Sequence, residues 1–363
     1  LNIAIDASRT TRAQRTGTEN YALQLIRALL ALGDPSCTYT LYFRDAPPAD
    51  LFPSGPSIKA AVIPFPRLWT HLRFATALGR ARPTVTFVPA HTLPILFPGR
   101  AVVTVHDLGY RYFPQAHTRF SGLYLDWTTR FSALRATHVI ADSQATKADL
   151  GRFYGIRSEK VSVIYPGVAK MARAGEAQIQ AVREKYHLPR RYLLFLGTIQ
   201  PRKNIARLIE AFQHWRRESG DAEVGLVLAG RTGWLQNDLL LDVPGVCVTG
   251  YIADADVAAL YSGAAALMFP SLYEGFGFPV VEAMQVGTPV LTSKTSSLPE
   301  VAGDAALLVD PLDTAAIAQG IARLVNDTAL RADLVARGYR QAAQFTWEAA
   351  ARATLNVLKK AAG

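Results

Sequence analysis

The stretch Glu274-Gly-Phe-Gly-Phe-Pro-Val-Val-Glu-Ala-Met-Gln-Val-Gly287 decides how this chain folds. It follows Ala264-Ala-Ala-Leu-Met-Phe269, an apolar run with the length and boundaries of a buried strand. Pro279 suits the start of a helix, where its missing N–H costs nothing, and Gly287 closes that helix as a C-terminal glycine does. The reading is strand, glycine-bearing turn, helix. Gly275, Gly277 and Phe278 then offer unpaired N–H groups at the positive end of a helix dipole, where phosphate is attracted. Two carboxylates frame the turn: Glu274 at the strand's C-terminal end, and Glu282 in the helix's first turn. A carboxylate has two acceptor oxygens and matches a pair of vicinal hydroxyls. Phosphate, ribose and a second hydroxylated group would use all three features, as in a sugar-nucleotide site. A plainer account stands beside it, in which Glu282 complements the helix dipole and Glu274 is solvated.

The same pattern recurs along the chain. Asn2-Ile-Ala-Ile-Asp6 reads as a buried strand, followed by a loop with Arg9, Arg12 and Arg15, then Gly17, then an amphipathic helix over Tyr21–Leu30. The three spaced glycines of a dinucleotide fingerprint are absent, and nothing argues for NAD. Ala101-Val-Val-Thr-Val105 delivers His106 to a strand end, where open α/β sheets place their ligands. Tyr165-Pro-Gly-Val168 is a turn signal and the expected domain boundary. Beyond it, Tyr192–Gly197 is a second strand of this kind, and Gly197-Thr-Ile-Gln-Pro-Arg-Lys-Asn204 leads into a helix. Arg202 and Lys203 stand where a leaving diphosphate needs cations, and adjacent cations at a helix start oppose the dipole, which argues against a purely structural role. A further helix is expected near Trp234–Leu240. Asp254-Ala-Asp256 opens an apolar helix and reads as an N-cap with a dipole-favourable acid rather than as a metal-binding Asp-x-Asp. No Cys/His spacing suggests a metal site.

The chain of 363 residues is long enough for two cores; half of it is hydrophobic and 19% charged, as in a globular enzyme. Cys37 and Cys247 read as buried thiols of a reducing compartment. The sequence opens directly into a strand without a basic-then-apolar signal, and no apolar run approaches the roughly 18 residues of a membrane span. The net charge of +10 is concentrated: residues 1–170 hold 20 Lys and Arg against 10 Asp and Glu, whereas residues 171–363 hold 19 of each. A basic half implies an anionic partner, a membrane surface or a nucleic acid, and the aromatic-interleaved basic repeats of nucleic-acid binders are missing. Residues 67–82 carry Arg67, Arg73, Arg80 and Arg82 around Leu68, Leu72, Ala75 and Leu78. They read either as a membrane-surface helix, with Trp69 and Phe74 entering the interface, or as a core-covering helix with a solvated basic face.

Glu274 and Glu282, with seven residues between them that begin Gly-Phe-Gly-Phe-Pro, resemble the signature of retaining GT-B glycosyltransferases of the large bacterial group that includes mannosyl- and glucosyltransferases. The likeness runs from Ile3 to about Leu358. It implies an α/β protein of two Rossmann-like doubly wound domains facing a central cleft. Residues 1–170, with a returning helix at 346–363, would bind the acceptor, and 171–345 the sugar nucleotide. It further implies a hexosyltransferase using GDP-mannose or another NDP-hexose, no metal or other cofactor, a glycan or lipid-linked acceptor, and retention of configuration. The implied place is cytoplasmic, with the basic half able to sit on the inner face of the plasma membrane, and no nucleic acid is implied. Residue by residue, the resemblance gives Glu282 the ribose diol and Glu274 the sugar or the ordering of the Gly275–Phe276–Gly277–Phe278 loop. Arg202 and Lys203 take the diphosphate, His106 faces the transferred sugar, Gly17 lies near the donor phosphates, and Tyr251 and Ile252 lie near the nucleobase. The chain departs from many relatives at Thr198, where they carry Arg, and at Glu19, where a further glycine is common. Two other classes remain: a sugar-nucleotide epimerase or hydrolase on the same fold, and a non-enzymatic anion- or nucleic-acid-binding protein.

Overall fold

Apolar runs of four to six residues set the architecture. Ile3, Ala4 and Ile5 are each at most 1% exposed, so both faces of the strand are covered, which is the environment of a parallel sheet between helical layers. The computed structural model describes residues 1–12, 17–65, 68–90, 92–97, 99–116, 118–231 and 243–363. Arg15, Arg67 and the helix expected at Trp234–Leu240 lie outside these residues. The chain divides into two compact units, Leu1–Gly167 with Thr346–Gly363, and Val168–Phe345.

The first unit contains β1 (Asn2–Asp6), β2 (Thr38–Phe43), β3 (Ile58–Val62), β4 (Val85–Val88), β5 (Ala101–Val105), β6 (His138–Ala141) and β7 (Val161–Val163). All pair in parallel, in the order β3-β2-β1-β4-β5-β6-β7. Its helices are α1 (Gly17–Ala31), α2 (Ala75–Ala81), α3 (Gly109–Tyr112), α4 (Arg119–Arg135) and α5 (Gln144–Tyr154). Local chemistry sets the ends of α5: the Ser143 side chain accepts from the Thr146 N–H, and Gly155 closes the helix in the left-handed region.

The second unit contains β8 (Arg191–Leu196), β9 (Val224–Ala229), β10 (Val246–Gly250), β11 (Ala266–Phe269), β12 (Val290–Ser293) and β13 (Leu307–Val309), parallel in the order β10-β9-β8-β11-β12-β13. Its helices are α6 (Glu176–Lys185), α7 (Ile205–Ser219), α8 (Val257–Gly263), α9 (Phe278–Gln285), α10 (Leu298–Ala302), α11 (Thr314–Asn326) and α12 (Thr328–Ala342). The last helix, α13 (Trp347–Ala362), belongs to the first unit, where Ala351, Leu355 and Leu358 share a core with Leu25, Ile26 and Leu29 of α1.

The 67–82 segment departs from both expectations in one respect. It enters through a wide turn in which the Phe74 N–H donates to the Trp69 carbonyl (2.9 Å), and α2 begins only afterwards. Trp69 and Phe74 do not face a membrane. They are buried, stacked with ring centroids 5.0 Å apart, and the Trp69 indole N–H donates to the Ile63 carbonyl at 2.8 Å. Their aromatic area fills the first unit's core, while Arg73, Arg80 and Arg82 are exposed. Cys37 is buried as expected, but Cys247 is half-buried on the edge strand β10; both are free thiols. No helix among the described residues is long and apolar enough to cross a membrane.

Candidate active site

In each sheet the strand order reverses between two central neighbours, β1 and β4 in the first unit and β8 and β11 in the second. Connections leaving such strands run to opposite faces, which opens a crevice at the carboxyl ends. In the second unit, the loop after β8 carries Arg202 and Lys203, and the loop after β11 carries Glu274.

These three side chains meet. Glu274 is 6% exposed; one carboxylate oxygen accepts from Arg202 Nη1 at 2.7 Å and the other from Lys203 Nζ at 2.6 Å. Arg202 also donates to the Tyr273 carbonyl at 3.1 Å, and the buried Lys203 ammonium lies 4.6 Å from the centre of the Phe269 ring. Burial pushes the Glu274 carboxyl upward, but the Arg202 and Lys203 charges outweigh it and hold the group below the usual carboxylate value. The turn is fixed from its far side: the Glu274 N–H donates to Ser296 Oγ (3.0 Å), and the Ser297 hydroxyl donates to the carbonyls of Glu274 (3.0 Å) and Phe276 (2.7 Å). Phe276 is buried against Phe278 and Phe345, at 5.1 and 5.3 Å between ring centres. Gly277 has φ 117°, and a Cβ there would come within 2.8 Å of Leu298, so the turn requires glycine.

Glu282 is the fifth residue of α9 and therefore sits in its second turn, not its first, because the helix starts at Phe278. Its carboxylate accepts from the buried Tyr261 hydroxyl at 2.8 Å. Burial raises its pKa, with the Tyr261 bond pulling the other way. Thr198 is exposed just past the end of β8. Beyond β10, Tyr251 is exposed under the Arg231 guanidinium, 5.0 Å from its ring centre, whereas Ile252 is buried. Sequence reasoning missed the ledge these strands share. β8, β9 and β10 end at or beside Gly197, Gly230 and Gly250, joined by bonds from the Gly197 N–H to Ala229 (2.9 Å) and from the Gly230 N–H to Gly250 (2.8 Å). A Cβ on Gly230 would overlap the Gly197 carbonyl, so the backbones meet bare. A glycine at each of three successive strand ends was the available signal.

The Asp254-Ala-Asp256 reading needs correction. Asp256 stands at the start of α8 but makes no side-chain cap; its carboxylate accepts from Lys185 Nζ (2.6 Å) and the Tyr186 hydroxyl (2.7 Å), tying α8 to the end of α6.

His106 and Gly17 belong to the first unit. Gly17 is the exposed first residue of α1, and Tyr21, one turn on, meets the His106 ring edge-on at 4.6 Å. His106 is buried with both ring nitrogens engaged, Nδ1 with the Asp142 carboxylate at 2.7 Å and Nε2 with the Pro89 carbonyl at 3.1 Å. With Asp142 ionised both partners are acceptors, and both ring nitrogens then donate, as an imidazolium does. Burial pushes its pKa down, but the Asp142 charge and hydrogen bond outweigh burial and leave it raised. Asp142 thus serves His106, while its neighbour Ser143 caps α5. The same unit has a cavity of 340 Å³ at its β1/β4 reversal, lined by Asp6, Arg9, Arg12, Arg44 and Tyr124 among others. Arg9 and Arg12 pair with the buried Glu19, at 3.9 and 3.4 Å.

Residues 178–341 match the family Glycosyl transferases group 1, and residues 15–170 match Glycosyltransferase Family 4. The chain is 33% identical over 274 residues to O-antigen chain mannosyltransferase B of Escherichia coli, covering 72% of this chain and 70% of that protein. It is 31% identical over 266 residues to the serotype-specific mannosyltransferase WbdA of Escherichia coli, covering 69% of this chain but only 32% of that longer protein. Anabaena HepE, solved with UDP-glucose, superposes with a TM-score of 0.73 at 18% identity, covering 98% of this chain and 99% of that one. The last likeness shows the fold, two Rossmann-like units of the GT-B class.

The His106–Asp142 pair generates a pH dependence. A histidine whose folded pKa is raised contributes stability fully present below its unfolded value of about 6.5 and lost as pH rises through the folded value. Urea denaturation from pH 6 to 9 is expected to show wild-type stability falling by up to about 1.4 kcal/mol per pH unit in that window. Asp142→Asn is expected to remove this slope, and parallel slopes in the two proteins would refute the pairing.

Proposed function

The chain belongs to the group 1 glycosyl transferases, and from that premise we propose that it moves a hexose from a nucleoside diphosphate sugar to a glycan or lipid-linked acceptor with retention of anomeric configuration. The names of its relatives favour mannose, with GDP-mannose or another NDP-hexose as donor. The second unit takes the donor and the first takes the acceptor.

The observation that carries this reading is the cluster of Arg202, Lys203 and Glu274 at the β8/β11 reversal. Two cations on one carboxylate leave a net positive charge whose donors are already oriented. As the bond from C1 of the sugar to the diphosphate oxygen breaks, negative charge grows on that oxygen, and fixed donors stabilise it without reorganising. In this reading no metal is required, because Arg202, Lys203 and the N–H groups before α9 do that work. The bare ledge of Gly197, Gly230 and Gly250 lets a ligand approach the backbone, with the base beside Tyr251 and Ile252 and the ribose diol on Glu282. His106 faces the sugar, where its Nε2–H must share or release the Pro89 carbonyl. The new bond joins C1 to the acceptor oxygen on the face the leaving group vacates. The acceptor's proton passes to the departing phosphate, so no protein nucleophile is consumed.

Lys203→Ala is expected to lower turnover about a hundred-fold while weakening donor binding far less; kcat and KM measured separately decide, and an intact kcat would show that the contact is uniform binding. Glu282→Ala is expected to weaken donor binding by about 1.5–3 kcal/mol; calorimetry showing unchanged affinity would remove Glu282 from the diol. The reading as a whole is tested by proton NMR of the first product formed in EDTA. It should carry the donor's anomeric configuration, and an inverted product, or a reaction that starts only with added manganese, would overturn it.

A further inference from the structure

Asn204 sits where a helix cap is expected and does not act as one. It is the residue before α7, and an asparagine there ordinarily accepts, through its side-chain oxygen, from an N–H of the first turn. Here the side chain makes no such bond. Its backbone is held in the left-handed region, at φ 63° and ψ 32°, which asparagine tolerates better than most residues with a Cβ. The Asn204 N–H donates to the Pro201 carbonyl at 3.0 Å and closes the tight turn Pro201–Lys203, which presents Arg202 and Lys203.

The side chain makes tertiary contacts instead. Asn204 is 6% exposed, and its Nδ2 donates to two backbone carbonyls, those of Pro270 at 3.1 Å and Pro311 at 2.6 Å. Its Oδ1 accepts from Arg207 Nη1 at 2.7 Å, and the same guanidinium donates to the Pro311 carbonyl at 3.2 Å. A carboxamide has one donating end and one accepting end. Two carbonyls at one end and a guanidinium at the other admit a single orientation, and turning the group would leave buried polar atoms unpaired.

The carbonyls it holds are those of the strand-end loops. Pro270 is the first residue past β11 and opens the loop that carries Glu274, and Pro311 lies in the loop past β13. Asn204 therefore pins the loop after β8 to the loop after β11, one residue past Lys203. Arg202 has a separate tether, the bond from the Leu272 N–H to its carbonyl at 2.8 Å. Loss of the carboxamide thus loosens the lysine side of the cluster first. Donors that stabilise a developing charge must be held to a fraction of an ångström, and groups that touch no substrate do the holding.

We propose that Asn204 is the positioning residue of the Arg202–Lys203–Glu274 cluster. It acts through Lys203, setting where the ammonium stands relative to Glu274 and the leaving diphosphate, and it rests on the reading of that cluster as the diphosphate site. Asn204→Gly tests it, because glycine keeps the left-handed turn and removes only the carboxamide. With GDP-mannose as donor, turnover is expected to fall about ten- to a hundred-fold while the donor KM changes less than about three-fold. In Lys203→Ala protein the same substitution should cost less than about two-fold more, because the group it positions is gone. An unchanged kcat, or a loss of full size in the Lys203→Ala background, would overturn the proposal. A second measurement needs no turnover: acetylation of the folded full chain, followed peptide by peptide by mass spectrometry. Lys203 should be labelled about ten-fold faster in Asn204→Gly than in wild type, with the exposed Lys359 unchanged. Equal protection of Lys203 in both proteins would sink the idea. Asn204→Asp, alike in shape but unable to donate when ionised, replaces the glycine variant if that fails to fold, and the same outcomes decide. If labelling responds while wild type transfers nothing from any nucleoside diphosphate hexose, the transfer reading falls and the placement of Lys203 by Asn204 stands.

Discussion

The second unit depends on one buried carboxylate shared by two cations. Arg202 and Lys203 are adjacent in sequence and, without Glu274, would repel each other beside the buried Lys203 ammonium, where water screens poorly. Glu274, in turn, could not stay ionised at 6% exposure without both. The dependence is mutual, and it has a mechanical result. The loop after β8 and the loop after β11 leave strands on either side of the reversal, and the cluster fastens them together with help from the Leu272 N–H bond to the Arg202 carbonyl at 2.8 Å. A crevice that topology would merely open is held at a fixed width.

The first unit has the same kind of topology with the opposite electrostatic character. Its buried ionisable groups at the carboxyl edge are mostly acids: Asp6, Glu19 and Asp142. Each has a local partner, Ser8 for Asp6, Arg9 and Arg12 for Glu19, and His106 for Asp142. Carboxylates flanked by arginines suit hydroxylated ligands, whereas paired cations on a single acid suit a diphosphate. Two sheets of related topology are thus equipped for different chemistry by a handful of side chains at the strand ends.

Much of this was legible in the sequence because four- to six-residue apolar runs bounded by glycines read as buried strands with turns at their ends. The individual members of the cluster could be named from spacing and resemblance. Their pairing could not, because Lys203 and Glu274 are 71 residues apart and only tertiary structure selects the partner. Asp256 shows the same limit: its position fits a cap, but Lys185 and Tyr186, on a preceding helix and just beyond it, take the carboxylate instead. Periodicity reveals which side of a helix is apolar without saying what that side meets. Trp69 and Phe74 turned inward against the membrane reading, while Phe120 and Trp127 of α4, which drew no attention as sequence, turned outward.

The return of α13 to the first unit has a consequence for biosynthesis. The core of that unit includes Ala350, Ala351, Leu355 and Leu358, whereas the second unit is one continuous segment, Val168–Phe345. On the ribosome, the second unit has emerged in full before the first has received the helix that closes its core against α1. Vectorial synthesis ordinarily lets the amino-terminal domain finish first. Here the order is inverted: the unit begun first is completed last, and until then the apolar face of α1 must wait for its partner.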